Sequence, residues 1–429
     1  MVRRTSVLTA LAFLVVGLLL GGGLVAAAAT NDPCDKLYSK KSVDKLKAYT
    51  ACREDRQDAA LTRIEKQLAA LRSAAAPTSA PTPTTEPNLT TAPTAAPPSS
   101  TTPSPATSAT SAPASGRCVG AANSPGGADP WGGCWPGPQN TGYPHGLPGD
   151  TRKPVTLTAY TGPTTIRSCG VVIDSKIVTG DVLIQAGNGS TSKDKPCVTI
   201  RNSLVKGVIF SEEGRFGPTV VTDTEVAPEG LSWWENVGRT NMFVARVNSH
   251  GSQGVIKCEQ NCEAVDSWVH GMVLGGAYHY NAFGSNGMSS GSFVIRHNWA
   301  SCGDWTAQDD KTADAGCSAA IGFYGDFDPI RNITIDRNYL VGTSQSGNKT
   351  SSDTDRQAGY CLNPGYYPGK PNPAPSNVKV TSNVFGRGDS GKCGVFGPTN
   401  SLNKVGDPKG NTWSDNRWVD GVAIGRPEE

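Results

Sequence analysis

The sequence predicts an all-β fold for residues 117–429, a right-handed single-stranded parallel β-helix, and three observations carry that prediction. First, a short phrase recurs from about residue 150: two or three alternating apolar residues, an Asn or Asp, then another apolar pair. Its anchors are Asp174, Asn202, Asp223, Asn248, Asp266, Asn298, Asn338, Asn383 and Asn416. Second, successive anchors lie 28, 21, 25, 18, 32, 40, 45 and 33 residues apart. Short gaps fit one coil of a solenoid, and long gaps fit a coil with an inserted loop. Third, glycine supplies 45 of the 313 residues in this region, which suits tight bends between short strands.

Each phrase alternates with period two, so one face of each strand turns inward. A β-sandwich would show hairpin turns every ~8–12 residues, and a propeller would show a longer, steadier unit. A single polar residue per phrase favours the solenoid, where such residues stack at one bend as an amide ladder. Asn202, Asn338, Asn383 and Asn416 are expected to be structural for that reason.

Upstream elements differ in kind. Arg3 and Arg4 precede an apolar run from Val7 to Ala29 that ends in four alanines. This is the pattern of a secretory signal, and its 23 residues are also long enough for a membrane anchor. Both readings of residues 1–29 place the rest outside the cytoplasm. Residues 30–73 read as a short helical stalk, with Leu61, Ile64, Leu68 and Leu71 on one face. Residues 74–116 are almost entirely Ala, Pro, Thr and Ser, with ten prolines, and form a disordered, stiff spacer.

Composition narrows function. The chain holds 50 glycines and 31 prolines, which excludes a long helical bundle. All nine tryptophans fall between Trp131 and Trp418, which excludes disorder throughout. Residues 117–429 carry 27 Lys+Arg and 29 Asp+Glu, so the basic field that nucleic acid requires is missing. Twelve cysteines are a disulfide set for an oxidising compartment. Pairing in chain order gives Cys34 with Cys52, Cys118 with Cys134, Cys169 with Cys197, Cys258 with Cys262, Cys302 with Cys317, and Cys361 with Cys393.

Several stretches, taken in order, resemble a family of secreted actinobacterial right-handed parallel β-helix proteins of the pectate-lyase-like superfold. They are His279-Tyr280-Asn281, Ile295-Arg296-His297-Asn298, Ala319-Ala320-Ile321-Gly322, Gly359-Tyr360-Cys361, Lys392-Cys393-Gly394 and Asn411-Thr412-Trp413. The resemblance covers about residues 150–429. It implies the fold, and it implies carbohydrate as the class of partner: a polysaccharide or cell-wall glycan, met outside the cell or at the outer face of its envelope. Where relatives often read His-x-Asp-Gly, this chain has Asn281, which removes a carboxylate. Gln308-Asp309-Asp310 and Ser249-His250-Gly251 resemble short polygalacturonase stretches, in the reverse order.

Region 279–328 is the expected site. His279, Asp309, Asp310, Lys311 and Arg296 are the candidate catalytic residues of a lyase or hydrolase acting on an acidic glycan, where paired carboxylates serve as acid and base. Asp304 and Asp314 are candidate calcium ligands, because calcium takes six to eight oxygens. Trp299, Trp305, Tyr278 and Tyr280 are the candidate stacking surface for sugar rings, with Trp233, Trp234 and Trp268 beside them. The alternative is a non-catalytic glycan-binding or structural module at the cell surface. His297 shares the parity of Ile295 and is expected in the core. His250 and His270 are expected in plain turn roles.

Overall fold

The computed structural model describes residues 118–211, 213–232, 234–275, 279–307, 316–343 and 357–429. The readings of residues 1–29, 30–73 and 74–116, with the pair Cys34 and Cys52, lie outside the described residues. What is described is a right-handed parallel β-helix. Three sheets run its length, and each coil visits them in turn. Sheet A has nine strands, from Val171–Asp174 to Thr412–Ser414. Sheet B has ten, from Thr158–Ala159 to Arg417–Trp418. Sheet C has nine, from Thr165–Ile166 to Gly397–Thr399. Strands of successive coils pair in parallel.

Alternation places apolar residues, most of them β-branched, inward in register. Sheet A stacks Ile173, Ile200, Val221, Val244, Ala264, Ile295, Ile335 and Val380, all at most 2% exposed. Each buried Ile or Val contributes about 1.5–3 kcal/mol from apolar burial. Sheet C adds Val182, Ile209, Val237, Ile256, Phe283, Ile321 and Leu362. The long anchor gaps arise between sheets B and C, where Val273–Leu274 and Thr306–Ala307 pair as a small extra sheet, and in the later coils also between sheets C and A, from Asn363 to Ser376 and from Thr399 to Thr412.

The bend from sheet A to sheet B repeats in every coil. Ser175, Asn202, Asp223, Arg246, Asp266, His297, Arg337, Ser382 and Asp415 all have φ between 47° and 57°. A side chain there is strained. The strain is offset because the ladder continues through the bend: His297 N–H donates to Asp336 O, and Arg337 N–H to Thr381 O. The amide ladder sits one residue later. Asn298, Asn338, Asn383 and Asn416 are at most 2% exposed. The Asn298 side chain donates to Asn338 Oδ1, that of Asn338 to Asn383 Oδ1, and that of Asn383 to Asn416 Oδ1. Asn338, Asn383 and Asn416 therefore stand as expected, whereas Asn202 is a bend residue outside the ladder. His297 is likewise a bend residue that faces outward.

Five disulfides join the cysteines of the described residues in chain order: Cys118–Cys134, Cys169–Cys197, Cys258–Cys262, Cys302–Cys317 and Cys361–Cys393. Such a set weakly favours an oxidising, extracellular environment.

Residues 118–157 form a strap that runs across the bends and the outer face of sheet B. Trp135 packs edge-on against Trp299 and Tyr339 in the later coils. Gly142 N–H donates to Arg246 O two coils earlier, and Arg152 pairs with Asp223 at 3.0 Å. The strap then enters the first coil as Thr158–Ala159, beside Lys176 and Ile177.

Candidate functional site

The structure separates the residues grouped at 279–328. His279 is exposed and opens the sheet C strand His279–Ser285. Arg296 is exposed at the end of a sheet A strand, 3.5 Å from Asp336 of the next coil. These two candidates belong to different sheets. Tyr278, Asp309, Asp310, Lys311 and Asp314 lie outside the described residues, as does Trp233.

Tyr280, Trp299 and Trp305 are 0%, 3% and 6% exposed, so none offers a ring face to a sugar. Their parity or bend position turns them into packing: Trp299 stacks on Tyr339 at 4.1 Å under Trp135. Tyr280 donates its hydroxyl to Gly275 O. Asp304 accepts from Ser301 Oγ at 2.6 Å and from Gly271 N–H at 3.2 Å. Among the described residues no three His, Cys, Asp or Glu side chains are grouped to hold a metal ion.

A different site is built on the outer face of sheet C over the early coils. Its outward row is Leu183, Phe210, Gly238, Lys257, Gly284, Gly322 and Asn363, one residue per coil. Trp234, 37% exposed, lies against Phe210 at 4.3 Å. The Arg239 guanidinium sits 5.3 Å from the Phe210 ring and 5.5 Å from the Trp234 ring. Both distances are within the range of cation–π attraction.

Below them, Glu235 is nearly buried between Lys257 at 2.8 Å and Arg239 at 3.0 Å. Burial alone would raise its carboxyl, but the fields and hydrogen bonds of Lys257 and Arg239 hold it below the usual carboxylate range. Glu259 lies 3.4 Å from Arg239.

Open space adjoins this shelf. A cavity of 170 Å³ is lined by Leu183, Gln185, Phe210, Phe216 and Trp234. It shares Gln185, Glu213 and Phe216 with a hollow of 930 Å³ that also reaches Arg167, Arg215 and Asn241. On the far side of Trp234 a third hollow of 350 Å³ reaches Lys206 and Glu229. Together they cross sheet C along the strand direction. Arg167 donates to Gln185 Oε1 at 2.9 Å, and no carboxylate pairs with it among the described residues.

Trp234 was legible as an aromatic. Its neighbours were not, since Phe210, Arg239 and Lys257 come from three coils and share no motif.

A second polar cluster joins the strap to the coils. Glu225 accepts from His250 Nε2 at 2.9 Å and lies 3.1 Å from His145 Nε2 of the strap. Against the upward push of burial, these two histidines lower its pKa. His270 stacks on Trp268 at 3.5 Å, with Nε2 at 2.9 Å from Asn248 Oδ1. Burial, then the nearby His250, pulls its pKa down to about 3, so it is neutral. His297 lies 2.6 Å from Asp266 and 3.1 Å from the strap's Asp129. These histidines bind segments together, more than the plain turn roles expected of His250 and His270.

No protein-family model, curated protein or solved structure matches the chain.

Proposed function

We propose that this is an extracellular module that binds an acidic polysaccharide along the cleft across sheet C. The observation that carries the reading is the exposed Trp234 ring, backed by the buried Phe210 and set beside Arg239 and Lys257, with Arg167 in the adjoining hollow. Flat apolar rings with a polar edge suit sugar faces, and guanidinium groups suit carboxylates. The three hollows follow one another through shared lining residues, which fits a chain-like ligand. The oxidising compartment favoured by the disulfides is where such glycans are met.

The test uses the full secreted chain with a panel of uronate-containing and neutral polysaccharides. Binding is expected for the acidic glycans, weakening as salt rises. Trp234→Ala is expected to weaken it about tenfold, the loss of roughly 1.4 kcal/mol for one ring contact. Equal binding of neutral glycans, or no effect of Trp234→Ala, would overturn the reading. Ultraviolet absorbance from unsaturated uronates, followed in the same samples, would make the module a lyase.

A further inference from the structure

We propose that the outer end of the strap is a releasable cover, latched by His297, over an aromatic row on sheet B. The row is Trp268, Trp299 and Tyr339, side by side in successive coils. Trp299 and Tyr339 stack in parallel, 4.1 Å apart. Trp135 of the strap closes over them, itself 0% exposed. Two features hold it there. The Cys118–Cys134 disulfide closes the loop that carries Asp129 and Trp131. His297 then grips that loop, its ring stacked on Trp135 and flanked edge-on by Trp131.

The latch is a three-member clamp. Asp129 is buried and takes Trp131 N–H and Gly133 N–H on Oδ1, leaving Oδ2 for His297 Nε2. Asp266 of the preceding coil takes His297 Nδ1. A protonated imidazole donates to both carboxylates at once, while a neutral one donates to only one. Loss of the proton therefore breaks one arm; the shorter contact, 2.6 Å to Asp266 against 3.1 Å to Asp129, keeps the remaining N–H, and Asp129 is left with its two backbone donors.

Other charges face the clamp. Arg246 lies two coils back and acts on Asp266. Arg337 in the next coil packs over Trp131 and pairs with Asp336, as does Arg296. All are arginines or carboxylates, so His297 is the member of this row whose charge changes near neutral pH.

The direction follows. Burial pulls His297 down, but hydrogen bonds and fields from Asp266 and Asp129 outweigh it, and its pKa is raised. The latch is then fully present below the ordinary histidine value of about 6.5. It is lost as pH rises through the higher folded value.

The experiment is hydrogen exchange on the full chain between about pH 5 and pH 9, corrected for the intrinsic rate. The Gly126 and Trp135 amides, which donate to Trp135 O and Gly127 O, report the strap. The Asn338 and Asn383 amides report the coils. Acrylamide quenching of tryptophan reads the uncovered row.

Strap protection is expected to fall on the alkaline side while coil protection holds, with quenching rising in step. Asp129→Asn keeps the His297–Asp266 pair and is expected to flatten the strap's pH dependence at the lower protection. Unchanged strap protection through the titration, a parallel fall in the coils, or an Asp129→Asn profile like that of the parent would each overturn the proposal. His297→Gln, which cannot be protonated, is expected to match Asp129→Asn.

Discussion

At the scale of single residues, the fold rests on positions that repeat once per coil. Asn338 is the clearest of them. Its Oδ1 accepts from the Asn298 backbone and side chain, and its Nδ2 donates to Ile295 O and Asn383 Oδ1. Asn338→Ala leaves a buried N–H and two buried amides short of partners, and is expected to cost about 2–4 kcal/mol. Asn338→Asp keeps the acceptor and loses the donor, so it is expected to be destabilising as well. Denaturant midpoints measure both. A change in Asn338→Ala within ~0.5 kcal/mol, the range of a surface site, would show that the ladder contributes little.

The recurring Asn and Asp residues do not share one position in the coil. Asn202, Asp223 and Asp266 sit at the left-handed bend, Asn298 and Asn338 one residue later, and Asn248 one later still. Asn and Asp suit a left-handed bend and a buried amide ladder alike. One recurring letter therefore marks three adjacent positions with different duties. His297 followed its strand's parity in sequence, but the bend inverts that parity and turns the ring outward to Asp129, 168 residues away.

At the scale of elements, coils and strands were legible because each alternates and each bears a polar mark. The cleft was not, because it has one residue per coil and no local pattern. The disulfides followed chain order because each joins points close in the coil path. Their spans differ, and that gives a test. Cys361–Cys393 spans 32 residues, while Cys258–Cys262 spans 4. Closing the longer loop restricts the unfolded chain more. Replacing the first pair by alanines is expected to cost about 3–4 kcal/mol, and the second about 2 kcal/mol. All four cysteines are at most 5% exposed, so cavity costs are similar. Equal losses, or a reversed order, would count against a chain-entropy origin.

At the scale of the whole molecule, a solenoid must close its ends, since a terminal coil presents unpaired strand edges. At the C-terminal end the last residues do this. Ile424 N–H donates to Asn416 O, Trp413 Nε1 donates to Ile424 O, and Trp418 N–H donates to Val422 O. Leu402 N–H donates to Pro427 O, and Asn403 bridges to Glu428. Removing residues 420–429 is expected to uncover Trp413 and Trp418 and to drive concentration-dependent association. Light scattering after size exclusion reads it. A truncated chain in the same oligomeric state as its parent would mean that the end was closed some other way.

The path of the strap has a mechanical consequence. Tension carried by the chain ahead of Cys118 passes through the Cys118–Cys134 bridge to Trp135, bypassing the loop between them. From there the strap runs back over earlier coils, through Gly142, His145 and Arg152, before joining the first strand. A pull along this route peels contacts one after another instead of shearing them together. The first coil bears no load until Trp135, His145 and Arg152 have all let go. The strap is thus a length of slack in reserve, yielding in small steps while the solenoid behind it stays wound.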